Sequence, residues 1–117
     1  MVPFPSTLLM APQTLFGRGL LARLPGVAGK FGQRGMIVYG ASFRRRGDRD
    51  RLRTAAANAA DWTEWEYPGG EPTLGAVDQL RAAALAARAD WIAAIGGGSV
   101  IDAAKAAAGL FRETAPV

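Results

Sequence analysis

The chain has 117 residues, half of them hydrophobic and 21% charged, with a net charge of +4; that suffices for one domain with a real core and is too apolar for a disordered segment. It contains neither cysteine nor histidine, which excludes disulfides, thiolate chemistry, the commonest transition-metal ligand and the usual neutral-pH proton shuttle. No apolar run reaches the roughly 18 residues of a membrane span, and the first eleven residues carry two prolines and no basic n-region, so the sequence predicts a cytoplasmic protein without a membrane partner.

Leu15-Phe16-Gly17 reads as a short strand closing on a glycine turn, and residues 18–24 as a brief helix ended by Pro25-Gly26. A glycine-rich turn over 29–35 leads into Met36-Ile37-Val38-Tyr39, a continuous apolar run of the kind buried on both faces of a sheet. Gly40-Ala41-Ser42 ends it. The next predicted helix runs from 49 to 60, with Asp48 as N-cap and Leu52, Ala55, Ala56 and Ala59 on one face. Residues 62–67, rich in β-formers, predict a strand, and Pro68-Gly69-Gly70-Glu71-Pro72 a loop. Thr73 then caps a helix reaching 88, with Ala76, Leu80, Ala83, Ala84 and Ala87 at helical spacing. Asp90 precedes another apolar strand, 91–95; Gly96-Gly97-Gly98 breaks it, and a last helix spans 99–110. Strands alternating with helices through short links predict a doubly wound α/β architecture, its parallel strands covered by helices on both faces.

Arginines concentrate at Arg44, Arg45, Arg46, Arg49, Arg51 and Arg53. Such a cluster can contact nucleic acid. Asp48 and Asp50 interrupt it, and no aromatic residue beyond Phe43 interleaves with it. A solvated helix start or a phosphate-binding rim is therefore the better account, and nucleic acid is not an expected partner.

The chemistry concentrates in Ile95-Gly96-Gly97-Gly98-Ser99-Val100-Ile101-Asp102-Ala103-Ala104-Lys105, where a buried strand enters three glycines and then a helix. Glycine backbone lets a ligand approach closely. The free N–H groups of the following helix point into the same space, and the helix dipole favours an anion there. A pyrophosphate suits such a cradle, which in open parallel sheets lies at the carboxyl ends of the strands. A plainer account stands beside it: a tight turn, with Ser99 as N-cap, Asp102 as the acid near N3 of a capping pattern, and Lys105 in a surface ion pair with Asp102.

Gly-Gly-Gly-Ser-x-x-Asp-x-x-Lys after an apolar strand is similar to the signature in the cofactor domain of iron-containing alcohol dehydrogenases. Leu15-Phe16-Gly17-Arg18-Gly19, the strand at 36–39, the Gly70-Glu71-Pro72 loop and the strand at 91–95 agree in order and spacing. The resemblance runs from about Pro12 to Phe111. It implies a Rossmann-like domain of the kind shared with 3-dehydroquinate synthase, with residues 1–117 as the NAD(P)-binding part of a longer two-domain enzyme. Synthases and maleylacetate reductases differ from this chain at the serine, the lysine or Asp102, so the alcohol dehydrogenase branch resembles it best.

The resemblance further implies reversible hydride transfer between NAD(P)H and an alcohol or aldehyde. Gly96, Gly97, Gly98 and Ser99 would form the pyrophosphate loop, through backbone N–H groups and the serine hydroxyl. Asp102 would lie near the nicotinamide, and Lys105 would support the loop. Gly40 stands where many relatives carry an aspartate that binds the adenosine ribose and repels a 2′-phosphate. Ser42 and the Arg44–Arg46 run would then receive that phosphate, so NADP(H) is expected to be accepted as well as NAD(H).

In that family a divalent metal, iron or zinc, polarises the substrate oxygen. It is held by an aspartate and histidines in a separate helical C-terminal domain that this sequence does not include. With no histidine, the chain supplies no such metal site and no catalytic residue of its own. The sequence therefore predicts a fragment that is inactive alone, whose alanine-rich helix face, left bare without the second domain, favours a homo-oligomer. The competing class is a stand-alone or degenerate nucleotide-binding module without catalysis.

Overall fold

A computed structural model describes residues 18–56 and 61–110. A 3-10 turn at Leu20–Arg23 leads into helix α1 (Leu24–Ala28), and a second one at Gly29–Phe31 precedes strand β1 (Arg34–Tyr39). Helices α2 (Ala41–Arg45) and α3 (Asp48–Ala56) follow, then β2 (Asp61–Glu66), α4 (Leu74–Ala86), β3 (Trp91–Ile95) and α5 (Gly98–Gly109). The three described strands are parallel, in the order β2-β1-β3.

The central strand explains its own composition. Gly35 through Tyr39 are all buried, because β1 has a strand on either side and helices on both faces. Met36 and Val38 face one core with Val77, Leu80 and Ala84 of α4 and Val100, Ala103, Ala104 and Ala107 of α5. Ile37 and Tyr39 face the other core, with Ala28, Phe43, Leu52, Trp62 and Trp91. Alternate residues of one strand thus feed two cores, the arrangement of a doubly wound sheet. Thr73 caps α4 as its sequence context predicts, its hydroxyl accepting from Ala76 N at 3.0 Å.

Three local expectations change. Pro25 and Gly26 do not end a helix: α1 runs through them with Pro25 in its first turn, where the missing N–H costs nothing. The segment after β1 is not a plain turn but α2, drawn in by Phe43, which is buried with its ring 5.4 Å from that of Tyr39. And α5 begins earlier than its capping pattern suggests, with Gly97 at the N-cap and no side-chain cap bond. Ser99 therefore lies inside the first turn, and Asp102 lies beyond it. The predicted strand at 15–17 and the predicted helix end at 57–60 lie outside the described residues.

The arginines of α3 are paired with carboxylates of β2 and α3. Arg49 pairs with Glu64 at 2.6 Å, Arg53 with Glu64 at 3.2 Å and with Asp61 at 3.4 Å, and Arg51 with Asp48 at 3.4 Å. The hydrogen bond and charge of Glu64 raise the Arg49 pKa above its ordinary value. Arg53 also stacks over Trp62, 4.1 Å from the ring centroid. The contacts of Arg49 and Arg53 with Asp61, Trp62 and Glu64 fasten α3 to the outer strand β2.

Candidate functional site

The chain leaves β1 toward the Phe43 core and leaves β3 toward the α5 core. These two strands are neighbours, so their carboxyl-end connections diverge to opposite faces and open a crevice between them. The Gly40 N–H donates to the Ile95 carbonyl at 3.1 Å and closes the floor of that crevice. A cavity of about 460 Å³ lies above, lined by Gly40, Ala41, Glu66, Tyr67, the Pro68–Glu71 loop, Ser99 and Val100.

The three glycines after β3 have different reasons to be glycine. Gly96 has φ of +156°, and an added Cβ would stand 2.9 Å from Val100 Cγ2. The fold itself demands it. Gly97 is extended, φ −78°, and serves as the N-cap, a position where glycine is acceptable. Gly98 is the first helical residue, has no positive φ, and an added Cβ would meet nothing within 4 Å. Glycine is the poorest helix former short of proline, so nothing inside the chain accounts for it.

Ile101 N donates to Gly97 O at 3.1 Å. The N–H groups of Gly98, Ser99 and Val100 precede that first intrahelical bond and are the orphan donors of the helix start. Oriented N–H groups, the dipole of a 12-residue helix and a side-chain-free approach at Gly98 together suit an anion.

Of the residues singled out in the sequence, the fold brings Gly40 and Ser99 into one crevice. Gly96, Gly97 and Gly98 form its β3-side turn. Ser42 is exposed on α2, accepting from Arg45 Nη2 at 3.4 Å. Asp102 is exposed one turn along α5 and does not line the crevice; no ion pair joins it to Lys105 among the described residues. Sequence reasoning missed Glu66 and Tyr67. Tyr67 fixes the crevice rim, its hydroxyl donating to Gly70 O at 2.9 Å and its N–H to Tyr39 O at 2.8 Å. Glu66 pairs with Arg44 at 3.1 Å. Glu66 ends the strand at 61–66 and Tyr67 follows it, and the rule that ligands sit at the carboxyl ends of parallel strands was the available signal.

Among the described residues, no group of three or more His, Cys, Asp or Glu side chains could hold a metal ion, and no helix is long and apolar enough to cross a membrane.

Comparison with known proteins places the chain in a family. The chain is 37% identical over 97 residues, 80% of its length, to a probable NADH-dependent butanol dehydrogenase 1 of Bacillus subtilis (strain 168). It is 37% identical over 108 residues, 87% of its length, to the probable alcohol dehydrogenase EutG of Salmonella typhimurium. These matches take in 25% and 26% of the relatives, so the chain spans about a quarter of their length. Among solved structures, NADH-dependent butanol dehydrogenase A of Thermotoga maritima superposes with a TM-score of 0.78 at 24% identity, over 87% of this chain and 26% of that one. Sulfoacetaldehyde reductase of Bifidobacterium kashiwanohense, in complex with NAD+, gives a TM-score of 0.74 at 25% identity, over 86% of this chain and 27% of that one. The family of iron-containing alcohol dehydrogenases matches residues 11–116, nearly the whole chain, and the chain belongs to that family.

Proposed function

We propose that this chain holds a nicotinamide dinucleotide across the carboxyl ends of β1 and β3, as the cofactor-binding part of an alcohol dehydrogenase. Gly98 carries the proposal. It is a glycine that costs helix stability, that no backbone angle requires and that no neighbour crowds, so the reason for it lies in a ligand. A dinucleotide pyrophosphate supplies that reason: it needs the backbone N–H groups of Gly98, Ser99 and Val100 at close range.

In this proposal Gly96 shapes the turn, Gly97 and Gly98 admit the pyrophosphate, and the Ser99 hydroxyl adds a donor. Gly40 leaves the end of β1 without a carboxylate, and Ser42 with Arg44, Arg45 and Arg46 supplies positive charge nearby. NADP(H) is therefore accepted as well as NAD(H). Asp102, exposed one turn along α5 and outside the crevice lining, is assigned to the nicotinamide end of the loop. The nicotinamide, when bound, exchanges a hydride with an alcohol or aldehyde. The described residues do not suit a metal ion, and the sequence has no histidine, so no step through a metal is assigned to them. By itself the chain binds cofactor without turning over alcohol, in the cytoplasm and as a homo-oligomer.

The test is titration of the full chain with NADH, followed by cofactor fluorescence. Saturable binding weakened at least about tenfold by Gly98→Val, with circular dichroism unchanged, supports the proposal. Unaltered affinity in a folded Gly98→Val chain sinks it.

A further inference from the structure

The far end of the crevice is lined by a carboxylate, Glu66, whose partner is the guanidinium of Arg44 outside the lining, and no requirement of the pyrophosphate explains the pair. Glu66 is the last residue of β2 and lies in register with Tyr39, the last residue of β1. The sheet order β2-β1-β3 sets it on the side of β1 away from the glycine turn. Two strand spacings, about 10 Å, separate the ends of β3 and β2, the length scale of an adenosine diphosphate. Gly40 lies between them. It presents no side chain, and a Cβ there would point at Val100 Cγ2, 3.3 Å away. The path from Ser99 across Gly40 to Glu66 is thus open, and all three line one cavity.

Glu66 Oε1 accepts from Arg44 Nε at 3.1 Å, with the two side chains 36% and 55% exposed. A pair so exposed is weakly held and can part at little cost. Its members have opposite preferences. A carboxylate accepts from ribose hydroxyls and repels a phosphate, whereas arginine binds a phosphate bidentately.

We infer that Glu66 and Arg44 are the pair that tells the two dinucleotides apart: Glu66 accepts from the adenosine 2′-hydroxyl of NAD(H), and Arg44 parts from Glu66 to meet the 2′-phosphate of NADP(H). The second carboxylate of the crevice, Glu71, is on the exposed loop after Gly70 and has no ion pair with Arg44. Glu66 is fixed by its strand. The inference rests on the proposal that the crevice holds a dinucleotide.

Affinities for NADH and NADPH, measured on the full chain and on Glu66→Gln, Arg44→Gln and Asp50→Asn variants, test it. Asp50→Asn removes an equal charge from α3 outside the crevice. Glu66→Gln should weaken NADH about tenfold and leave NADPH equal or tighter, the loss of one hydrogen bond to a charged acceptor. Arg44→Gln should weaken NADPH about tenfold and leave NADH within about twofold. Equal shifts for both cofactors, no shift in either variant, or the same pattern from Asp50→Asn would overturn the assignment of this pair alone. Failure of the unaltered chain to bind either dinucleotide overturns the crevice proposal itself.

Discussion

The two ends of β3 each meet a cluster of glycines, and the clusters exist for opposite reasons. At the amino end, Gly35 lies under the Trp91 ring, where a Cβ would fall inside the ring's own contact surface. Trp91 Nε1 donates to Gly32 O at 3.1 Å, and Asp90 accepts from Arg34 N at 3.0 Å through its carboxylate. Every glycine there makes room for the chain itself. At the carboxyl end, the space beside Gly98 is empty. A glycine crowded by its own protein reports the fold, whereas Gly98 faces open space at a helix start, where the crevice proposal places a ligand. This distinction is usable without any bound molecule.

The largest effect belongs to the crowded end. Gly35→Ala should cost about 3 kcal/mol, because β1 is the central strand and an added Cβ would lie inside contact distance of the Trp91 ring. Urea denaturation measures it. A loss below about 1 kcal/mol would mean that the ring relaxes easily and that crowding is a poor guide to glycine use. Replacing Trp91 with leucine in the Gly35→Ala background should recover part of the loss, since residues in contact couple.

Gly96→Ala comes next, and it locates the boundary between the two classes. Although Gly96 belongs to the carboxyl-end cluster, its φ of +156° and the approach of Val100 make it a fold glycine. A cost of about 2 kcal/mol is expected, from backbone strain and a tight contact together. Trp91→Phe should cost less, about 1 kcal/mol, for the hydrogen bond to the Gly32 carbonyl. Thermal unfolding of the two variants gives their order. If Trp91→Phe proves the costlier, the indole hydrogen bond rather than the ring packing organises the amino end.

Much of this was legible in the sequence, for identifiable reasons. Met36 to Tyr39 is apolar without a break because β1 is buried on both faces, and Thr73 caps α4 because a β-region hydroxyl before a helical run has few other uses. The glycine turn after Ile95 and its helix were visible for the same local reason. What depended on tertiary packing was not. Helix α2 follows from the burial of Phe43 on Tyr39, which three consecutive arginines conceal. The cap of α5 lies two residues before its serine, at Gly97 rather than Ser99. The carboxyl-end rule pointed to Glu66, but which end of the crevice it lines depends on β2 pairing with β1 rather than with β3. Strand order is a global property that no local pattern of Trp62 to Tyr67 encodes.

The smallest effect is the sharpest, because its two readouts should move in opposite directions. Gly98→Ala places a better helix former at the first position of α5, with no neighbour within 4 Å to resist it. The unfolded chain also loses freedom, so stability should rise by about 0.4–1 kcal/mol. The same methyl group narrows the approach to the N–H groups of Gly98, Ser99 and Val100, and NADH affinity should fall. Thermal unfolding and cofactor titration on one preparation measure both. A chain that gains stability and loses cofactor would show that Gly98 is kept at the expense of its own helix, for the sake of a ligand. A chain that gains stability and binds as before would reduce Gly98 to an ordinary turn glycine, and the two ends of β3 would no longer differ in kind.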